Sequence, residues 1–300
     1  MNRRSFFTLI LLLCAIHRLG AQETQITGTL AEVQLNRLSD QAISPLGRAA
    51  LAINPTRWKH AETTNFVYHF VDNFIATPVS VEAEFYYAAI AKELGRDTSH
   101  WERKCHIYIF ETPDDWKTFQ KNGRLEPWTG GIHSGGDLFI VRNPAFKFKG
   151  RSLGHEIAHL VLFRFFGSGI PIWLNEGYAE DSSSRFYASF MRARNYASRP
   201  RSLAVAPEEY IPVATLTAML SYPQDIRQVG AFYTESQRLV RFLFGINEHQ
   251  FLDFLEAMSK GGRFDSSLQR TFGSRFMTMD ALDQEFKNYA TKDYAPSVQN

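Results

Sequence analysis

The chain has 300 residues, of which 44% are hydrophobic and 21% are charged. This composition is that of an ordinary globular protein, and the length suits one large domain or two closely packed lobes. A formal net charge of +2 gives no indication of nucleic acid or of an anionic membrane surface as a partner. We therefore expect no nucleic-acid binding.

The first 21 residues have the pattern of a secretory signal peptide. Arg3 and Arg4 precede an apolar run at 6–16, and the small residue Ala21 ends the segment. The run is shorter than the roughly 20 apolar residues that a membrane-spanning helix needs. A buried N-terminal helix is the alternative, but the flanking residues favour a signal peptide. We expect export, to the periplasm or outside the cell, without a stable membrane anchor after cleavage.

The two cysteines, Cys14 and Cys105, predict no disulfide. Cleavage after Ala21 removes Cys14 and leaves Cys105 without an intramolecular partner. Because Cys105 begins an apolar run, we interpret it as a small buried hydrophobic residue and not as a nucleophile.

Between the signal peptide and the middle of the chain, the pattern is mixed. Residues 22–60 are weakly amphipathic and are predicted to form a lead-in that packs on the main domain. Residues 81–94 have helical spacing and stop at Gly95, a plausible left-handed terminus. Thr112 opens a turn that leads into a short helix. The glycine-rich residues 130–136 are predicted to form a flexible turn.

Strand signals come first and helical signals afterwards, with the change near residue 151. Strands are predicted at 65–70, 105–110 and 137–142. Helices are predicted at 151–166, 172–184, 231–244, 247–259 and 278–290. This order is typical of an α+β domain: a mixed β-sheet N-terminal lobe (about 61–166) followed by a mostly helical C-terminal lobe (about 167–292), with a tail at 293–300.

Residues 155–159 read His-Glu-Ile-Ala-His. On a helix, positions four apart lie on one face, so the imidazoles of His155 and His159 can reach one metal ion. Glu156 projects beside that ion, where a general base could take a proton from a metal-bound water. Chance gives roughly one such match per hundred chains of this length, so a third ligand is needed to support the prediction.

That third ligand is predicted at Glu176, with 16 residues between it and His159. A catalytic zinc site needs three protein ligands and an open position for water. Gly167 and Pro171 would end the first helix and let a second helix present Glu176. Glu180, one turn later, could accept the free ring N–H of a ligand histidine, or it could be a solvated surface acid.

The segments at 155–159 and 173–177 (Trp-Leu-Asn-Glu-Gly) resemble the gluzincin metallopeptidases, the superfamily of thermolysin and the M1 aminopeptidases. They are most similar to its smaller peptidase MA-like domains. The resemblance implies a gluzincin-like catalytic domain at 61–292, one Zn²⁺ per chain held by His155, His159 and Glu176, and Glu156 as general base. A metzincin is excluded, because Phe165 stands where a third histidine would be required.

The resemblance also implies a residue that stabilises the oxyanion. Tyr233 opens the predicted helix at 231–244, and a phenol can donate a hydrogen bond while neutral at pH 7. Tyr178, Tyr187 and Tyr210 compete for this role. Tyr233 could instead pack between helices.

Two features near the motif have open interpretations. The strand at 137–142 could be an edge strand that pairs with a substrate backbone, or an ordinary interior strand. His133 could approach the cleft, or it could be a surface residue.

Together these observations predict a zinc-dependent metallopeptidase that hydrolyses peptide bonds of a peptide or protein substrate, with a zinc-activated water and Glu156 as general base. One alternative is a catalytically silent, metal-containing scaffold, which would have no use for Glu156. The other is a zinc hydrolase of non-peptide amides or esters. The Gly-Ala-Met-Glu-Asn sequence that related aminopeptidases use to bind an α-amine is absent, and endo- versus exopeptidase action stays open.

Overall fold

One mixed β-sheet organises the first half of the protein. The computed structural model describes residues 29–99, 103–125, 129–142, 151–196 and 204–292. The predicted signal peptide at 1–21 and the tail at 293–300 lie outside the described residues. The strands are β1 (Lys59–Glu62), β2 (Phe66–Phe70), β3 (Cys105–Phe110), β4 (Gly131–Ser134) and β5 (Asp137–Val141).

The strands lie in the order β1-β2-β3-β5-β4. The three central strands run parallel, and β1 and β4 pair antiparallel at the two edges. The strand predicted at 137–142 is therefore interior. The edge next to it is β4, which lies in the segment for which the sequence predicted only a turn. That part of the prediction was wrong, because the turn is confined to Gly135 and Gly136, with φ values of 60° and 87°.

Helices dominate the rest of the described chain, and from Arg151 onward the described residues contain no strand. The predicted α+β class, with a sheet lobe followed by a helical lobe, is confirmed. The helices are α1 (Pro45–Leu51), α2 (Asn73–Glu93), α3 (Pro113–Gly123), α4 (Ser152–Phe166), α5 (Ile172–Ala193), α6 (Val213–Ala218), α7 (Ile226–Ile246), α8 (Glu248–Ser259), α9 (Phe264–Phe272) and α10 (Met279–Thr291).

The sheet is covered on both faces. Along β3, Ile107 and Ile109 belong to the larger core, which is shared with α2 and α4. The alternate residues Tyr108 and Phe110 belong to a second core with α1 and α3. Central strands covered on both sides are mostly apolar. Each residue of β2, β3 and β5 is buried, and the polar ones among them are His69, His106 and Asp137. Cys105 is also buried in β3, and burial raises the pKa of its thiol above 9.0.

Three histidines form a row across β1, β2 and β3, on the face that carries the second core. The Nδ1 atoms of His60 and His69 are 2.8 Å apart. His69 Nε2 lies 2.9 Å from His106 Nδ1, and the His69 ring stacks on Tyr108 at a centroid distance of 4.4 Å. We call His60, His69 and His106 the strand histidines.

Several helix boundaries differ from the sequence prediction. α2 begins at Asn73, before the predicted start at 81, because Asp72 accepts a hydrogen bond from Phe74 N as its cap and Pro78 is accommodated inside the helix. Gly95 has the predicted left-handed backbone, with φ of 62°. The short helices α1, α6 and α9 carry too few turns to give a periodic signal and were not predicted.

The lead-in packs on the sheet lobe through Leu30 and Leu38, which are buried. Leu35, in the same predicted stretch, is 38% exposed. In the part of the chain that the structure describes, no helix combines the length and apolar character needed to cross a bilayer.

Candidate active site

The site begins on α4, a buried helix with one polar face. Leu153, Ile157 and Val161 are fully buried in the larger core. His155 and His159 lie one turn apart on the other face. Their side chains are 16% and 12% exposed, so α4 holds two imidazoles at the boundary between core and solvent.

The third residue comes from α5, after a tight turn. α4 ends at Gly167, whose φ of 75° favours glycine, and Pro171 precedes α5. Glu176 then points back at α4 with only 6% of its side chain exposed. At the next residue, Gly177, an added Cβ would lie 2.3 Å from the carbonyl oxygen of Ser236 on α7. Because Gly177 has no side chain, α7 can pack directly against α5 at this point.

Three donor atoms converge between the two helices. His155 Nε2 and His159 Nε2 are 2.9 Å apart, and Glu176 Oε2 lies 3.3 Å and 3.5 Å from them. Glu176 Oε2 is buried without a hydrogen-bond partner among the described residues, which is costly for a carboxylate oxygen. A cation between the three atoms would satisfy it. Two imidazole nitrogens and one carboxylate oxygen form a donor set that suits zinc. We call these three residues the metal cluster.

Oxygen atoms lie against the outer nitrogens of both histidines. His159 Nδ1 lies 2.8 Å from Asn175 Oδ1, and His155 Nδ1 lies 3.2 Å from Glu180 Oε1. The acceptor at His159 Nδ1 favours the tautomer with its proton there, which leaves the Nε2 lone pair of His159 facing the cluster. Glu180 acts on His155 through its negative charge. Glu180 could have been a solvated surface acid or a residue that faces a ligand histidine. In the structure its carboxylate faces the ring of His155.

The carboxylates set the charge of the histidines. Burial favours neutral rings, but Glu176 and Glu180 raise the pKa of His155 well above 6.5. Burial also opposes protonation of His159, whose pKa is nevertheless raised by Glu176. Despite burial, His159 and His155 hold the pKa of Glu176 below 4.5. Because a metal must displace protons from both rings, metal affinity should fall as the pH is lowered.

Glu156 lies beside the metal cluster and against the edge strand β4. A Cβ added at Gly131 would lie 3.1 Å from both Cγ and Oε1 of Glu156, so glycine makes room for this carboxylate. The backbone N–H of His133 donates to the carboxylate. Glu156 is 7% exposed. Burial raises its pKa above 4.5, although His155 and His159 act in the opposite direction.

The ring of His133 faces the site and not open solvent. It is partly buried and lies 5.2 Å from the ring of Phe163, which follows His159 by one helical turn. Burial, with the positive charges of His159 and Arg164, lowers the pKa of His133 to about 3. His133 is therefore neutral at ordinary pH.

Two tyrosines lie at the metal cluster. Tyr222, on the connection between α6 and α7, donates its hydroxyl to Glu176 Oε1 at 2.5 Å. Tyr233, on α7, stacks against Tyr222 at a centroid distance of 5.9 Å. Burial and the charge of Glu176 raise the pKa of Tyr233 above 10.0. Its phenol is therefore neutral and can donate a hydrogen bond.

The three competing tyrosines are placed differently. Tyr178 donates its hydroxyl to Glu93 at 2.8 Å, and Tyr210 donates to Asp283 at 2.9 Å. Tyr187 is partly buried against the larger core. The hydroxyls of Tyr178 and Tyr210 are thus committed to carboxylates outside the metal cluster.

Sequence reasoning missed Asn175 and Tyr222. Asn175 directly precedes Glu176, and an amide beside a predicted ligand is a signal that could have been used. Tyr222 lies 46 residues beyond Glu176 in a stretch without regular periodicity. Only the packing of α7 against α5 explains its position.

The family model of the peptidase MA superfamily matches residues 87–292. The match begins within α2 and includes β3, α4, α5 and the helical lobe. A search of curated proteins found no match. Because the matched range covers more than half of the chain, the chain belongs to the peptidase MA superfamily, and this membership indicates a hydrolase of the metallopeptidase type.

Proposed function

We propose that the protein is a zinc-dependent peptidase that hydrolyses peptide bonds. The observation that carries the proposal is the arrangement around α4. Three donors of the metal cluster converge, and Glu156 stands beside them, bonded to strand β4 and not to the ligands. A site that only binds metal would have no need of this separate carboxylate.

The donor set fits zinc. Structural zinc sites are closed by four protein ligands, whereas catalytic sites have three and keep a position open. His155, His159 and Glu176 would supply the three. When bound, zinc would supply Lewis acidity that polarises the scissile carbonyl and lowers the pKa of an attacking water toward about 7.

Glu156 is the proposed general base. Its carboxylate would accept a proton from the attacking water and deliver it to the leaving amine. A pKa raised by burial makes the carboxylate a stronger base than an exposed glutamate. The absence of a side chain at Gly131 leaves room for the carboxylate, and the hydrogen bond from the His133 N–H holds it in one orientation.

A peptide substrate is favoured by the outer edge of β4, which is an edge of the sheet and lies beside Glu156. Val141 N donates to Gly130 O at the end of the β4–β5 hairpin opposite to the turn, and the register pairs Gly131 with Ile140 and His133 with Leu138. In an antiparallel pair the hydrogen-bonded positions alternate, so Gly131 and His133 direct their backbone groups away from β5. The N–H of His133 donates to Glu156, so a peptide would pair with the backbone of Gly131 and the carbonyl of His133. An extended peptide could pair with this edge beside Glu156, an interaction that a simple ester could not make.

Tyr233 is proposed to stabilise the oxyanion. A preorganised neutral donor aimed at developing negative charge stabilises a transition state more than the ground state. Support comes from its place beside Tyr222 and from a phenol that stays protonated next to Glu176.

The proposal is tested by incubating purified, zinc-loaded protein with a diverse peptide library and identifying products by mass spectrometry. We expect cleavage that a zinc chelator abolishes and added zinc restores. No cleavage of any peptide by a folded, zinc-loaded chain would contradict the proposal and favour a metal-containing scaffold. Cleavage only of ester or non-peptide amide substrates would favour the other alternative.

A further inference from the structure

A polar group lies on the outer side of each residue of the metal cluster. Asn175 and Glu180, both on α5, lie against the outer nitrogens of His159 and His155. The partner of Glu176 comes from elsewhere: the hydroxyl of Tyr222 donates to Oε1. Glu176 Oε2 is then the carboxylate oxygen that faces both histidines.

The ring of Tyr222 is held firmly although it is 39% exposed. It stacks against Tyr233 with an interplanar angle of 21°. It also makes an edge contact with Phe232, at 6.0 Å and 85°, and Phe232 is fully buried. Aromatic contacts on two sides limit the positions that the hydroxyl can take.

We propose that Tyr222 is a positioning residue for the metal: it occupies Oε1 of Glu176, so that Oε2 alone is directed at the cation. A carboxylate with both oxygens free can rotate or bind through either oxygen, and it must be ordered when the metal binds. Because Tyr222 fixes Oε1, the carboxylate of Glu176 is already ordered before the metal binds. The inference rests on the metal site of the proposed function, but it does not depend on peptide hydrolysis.

The role differs from stabilising an oxyanion. A donor to the reacting oxygen changes turnover and leaves metal affinity alone. A partner that orients a ligand changes metal affinity, commonly by 10- to 100-fold when it is removed. The two roles therefore predict different results for the same variant.

The test compares the parent chain with Tyr222→Phe, which keeps the ring contacts and removes only the hydroxyl. Zinc affinity is measured by competition with a chromophoric chelator. The environment of the metal is followed by the visible spectrum of the cobalt-substituted protein. We expect zinc binding to weaken by about 10- to 100-fold and the cobalt spectrum to change. Tyr196→Phe, at a tyrosine that is 61% exposed, is the matched control and should match the parent.

Unchanged zinc affinity and an unchanged cobalt spectrum in Tyr222→Phe would overturn the inference. If turnover fell at the same time, Tyr222 would act on the substrate and not on Glu176. A parent chain that binds no zinc would overturn both the inference and the metal site. A zinc-binding parent that cleaves no peptide would leave the inference standing if the variant binds zinc more weakly, and this outcome separates it from the proposed function.

Discussion

Two histidine clusters in the part of the chain that the structure describes lie on opposite faces of one sheet, and they have opposite electrostatic character. The strand histidines bond to one another in a row, and burial lowers the pKa of His60, His69 and His106. In the metal cluster, Glu176 raises the pKa of both His155 and His159. Burial is present in both places. Carboxylates lie near a ring of each cluster, because His106 Nε2 is 3.7 Å from Asp40 Oδ1. At His106, burial outweighs the effect of Asp137 and Asp40 on the pKa, whereas at His155 and His159 the carboxylates outweigh burial.

This difference explains why only one cluster suits a cation. Neutral rings that donate and accept along a row use their nitrogens on one another, so few lone pairs are left to converge on an ion. In the metal cluster, Asn175 and Glu180 lie at the outer nitrogens and the inner ones face Glu176. A metal site therefore depends less on having histidines than on what lies behind them.

The largest expected effect comes from Glu156, the carboxylate that lies beside the metal cluster without belonging to it. Glu156→Gln should retain zinc and fold but reduce peptide hydrolysis by about 10²- to 10⁴-fold, because the proton acceptor is lost while the ligands stay. Hydrolysis rate and zinc content are measured on the same preparation. Glu285→Gln, at a surface acid paired with Arg275, is the control. Parental hydrolysis by Glu156→Gln would exclude Glu156 as the base.

Tyr233→Phe should reduce turnover by about 10²- to 10³-fold, since one donor to the oxyanion is removed. Zinc content and melting temperature should stay close to those of the parent. Steady-state kinetics and thermal unfolding provide the measurements, with Tyr196→Phe as control. A variant that melts earlier with normal turnover would show that Tyr233 only packs between helices.

The position of Glu176 depends on the close approach of α5 and α7. Gly177→Ala places a methyl group against the Ser236 carbonyl and should lower the free energy of unfolding by about 1–3 kcal/mol through overpacking. It should also weaken zinc binding. Gly230→Ala, on α7 with open space at the added Cβ, is the matched control and should stabilise by up to about 1 kcal/mol. Equal urea midpoints for the two variants would contradict the packing argument.

The smallest effect concerns the strand histidines and pH. The pKa of His69 lies well below 6.5 in the folded protein. Below pH 6.5, His69 is therefore protonated in the unfolded chain while it stays neutral in the folded chain. Stability should therefore fall as the pH is lowered from about 6.5, by up to about 1.4 kcal/mol per pH unit for this residue.

His69→Phe tests this point, because it keeps the aromatic stack on Tyr108 and removes the titrating group. Urea unfolding of zinc-loaded protein between pH 7.5 and 5.5 should give a shallower pH dependence for the variant than for the parent. Equal slopes would mean that His69 does not contribute to acid sensitivity.

The sequence predicted the fold where the periodic signal is long. α4, α5, α8 and α10 start within one residue of their predicted positions, and β3 matches exactly the range 105–110. The edge strand β4 was missed because it has only four residues and lies among glycines. Short elements are stabilised by their neighbours in the sheet more than by their own pattern.

The residues of the candidate site also fall into two groups, those that local spacing predicted and those that only tertiary packing brings to the site. His155, Glu156 and His159 lie within one and a half turns of a helix, and Glu176 follows on the next helix, so local spacing was enough to predict that they lie close together. Tyr222 reaches Glu176 through tertiary packing between segments that are distant in the chain. The strand histidines also gave no signal, since their row depends on the register of three strands.

The most direct test of the account is the metal content of three purified proteins by elemental analysis, prepared without chelator. The parent should hold one zinc per chain. Glu176→Ala should hold none, because the site loses one of its three ligands and the negative charge of the carboxylate. His69→Phe should hold one, because His69 lies outside the metal cluster and bonds to His60 and His106. A parent without zinc, or a Glu176→Ala protein that retains it while His69→Phe does not, would contradict the central claim.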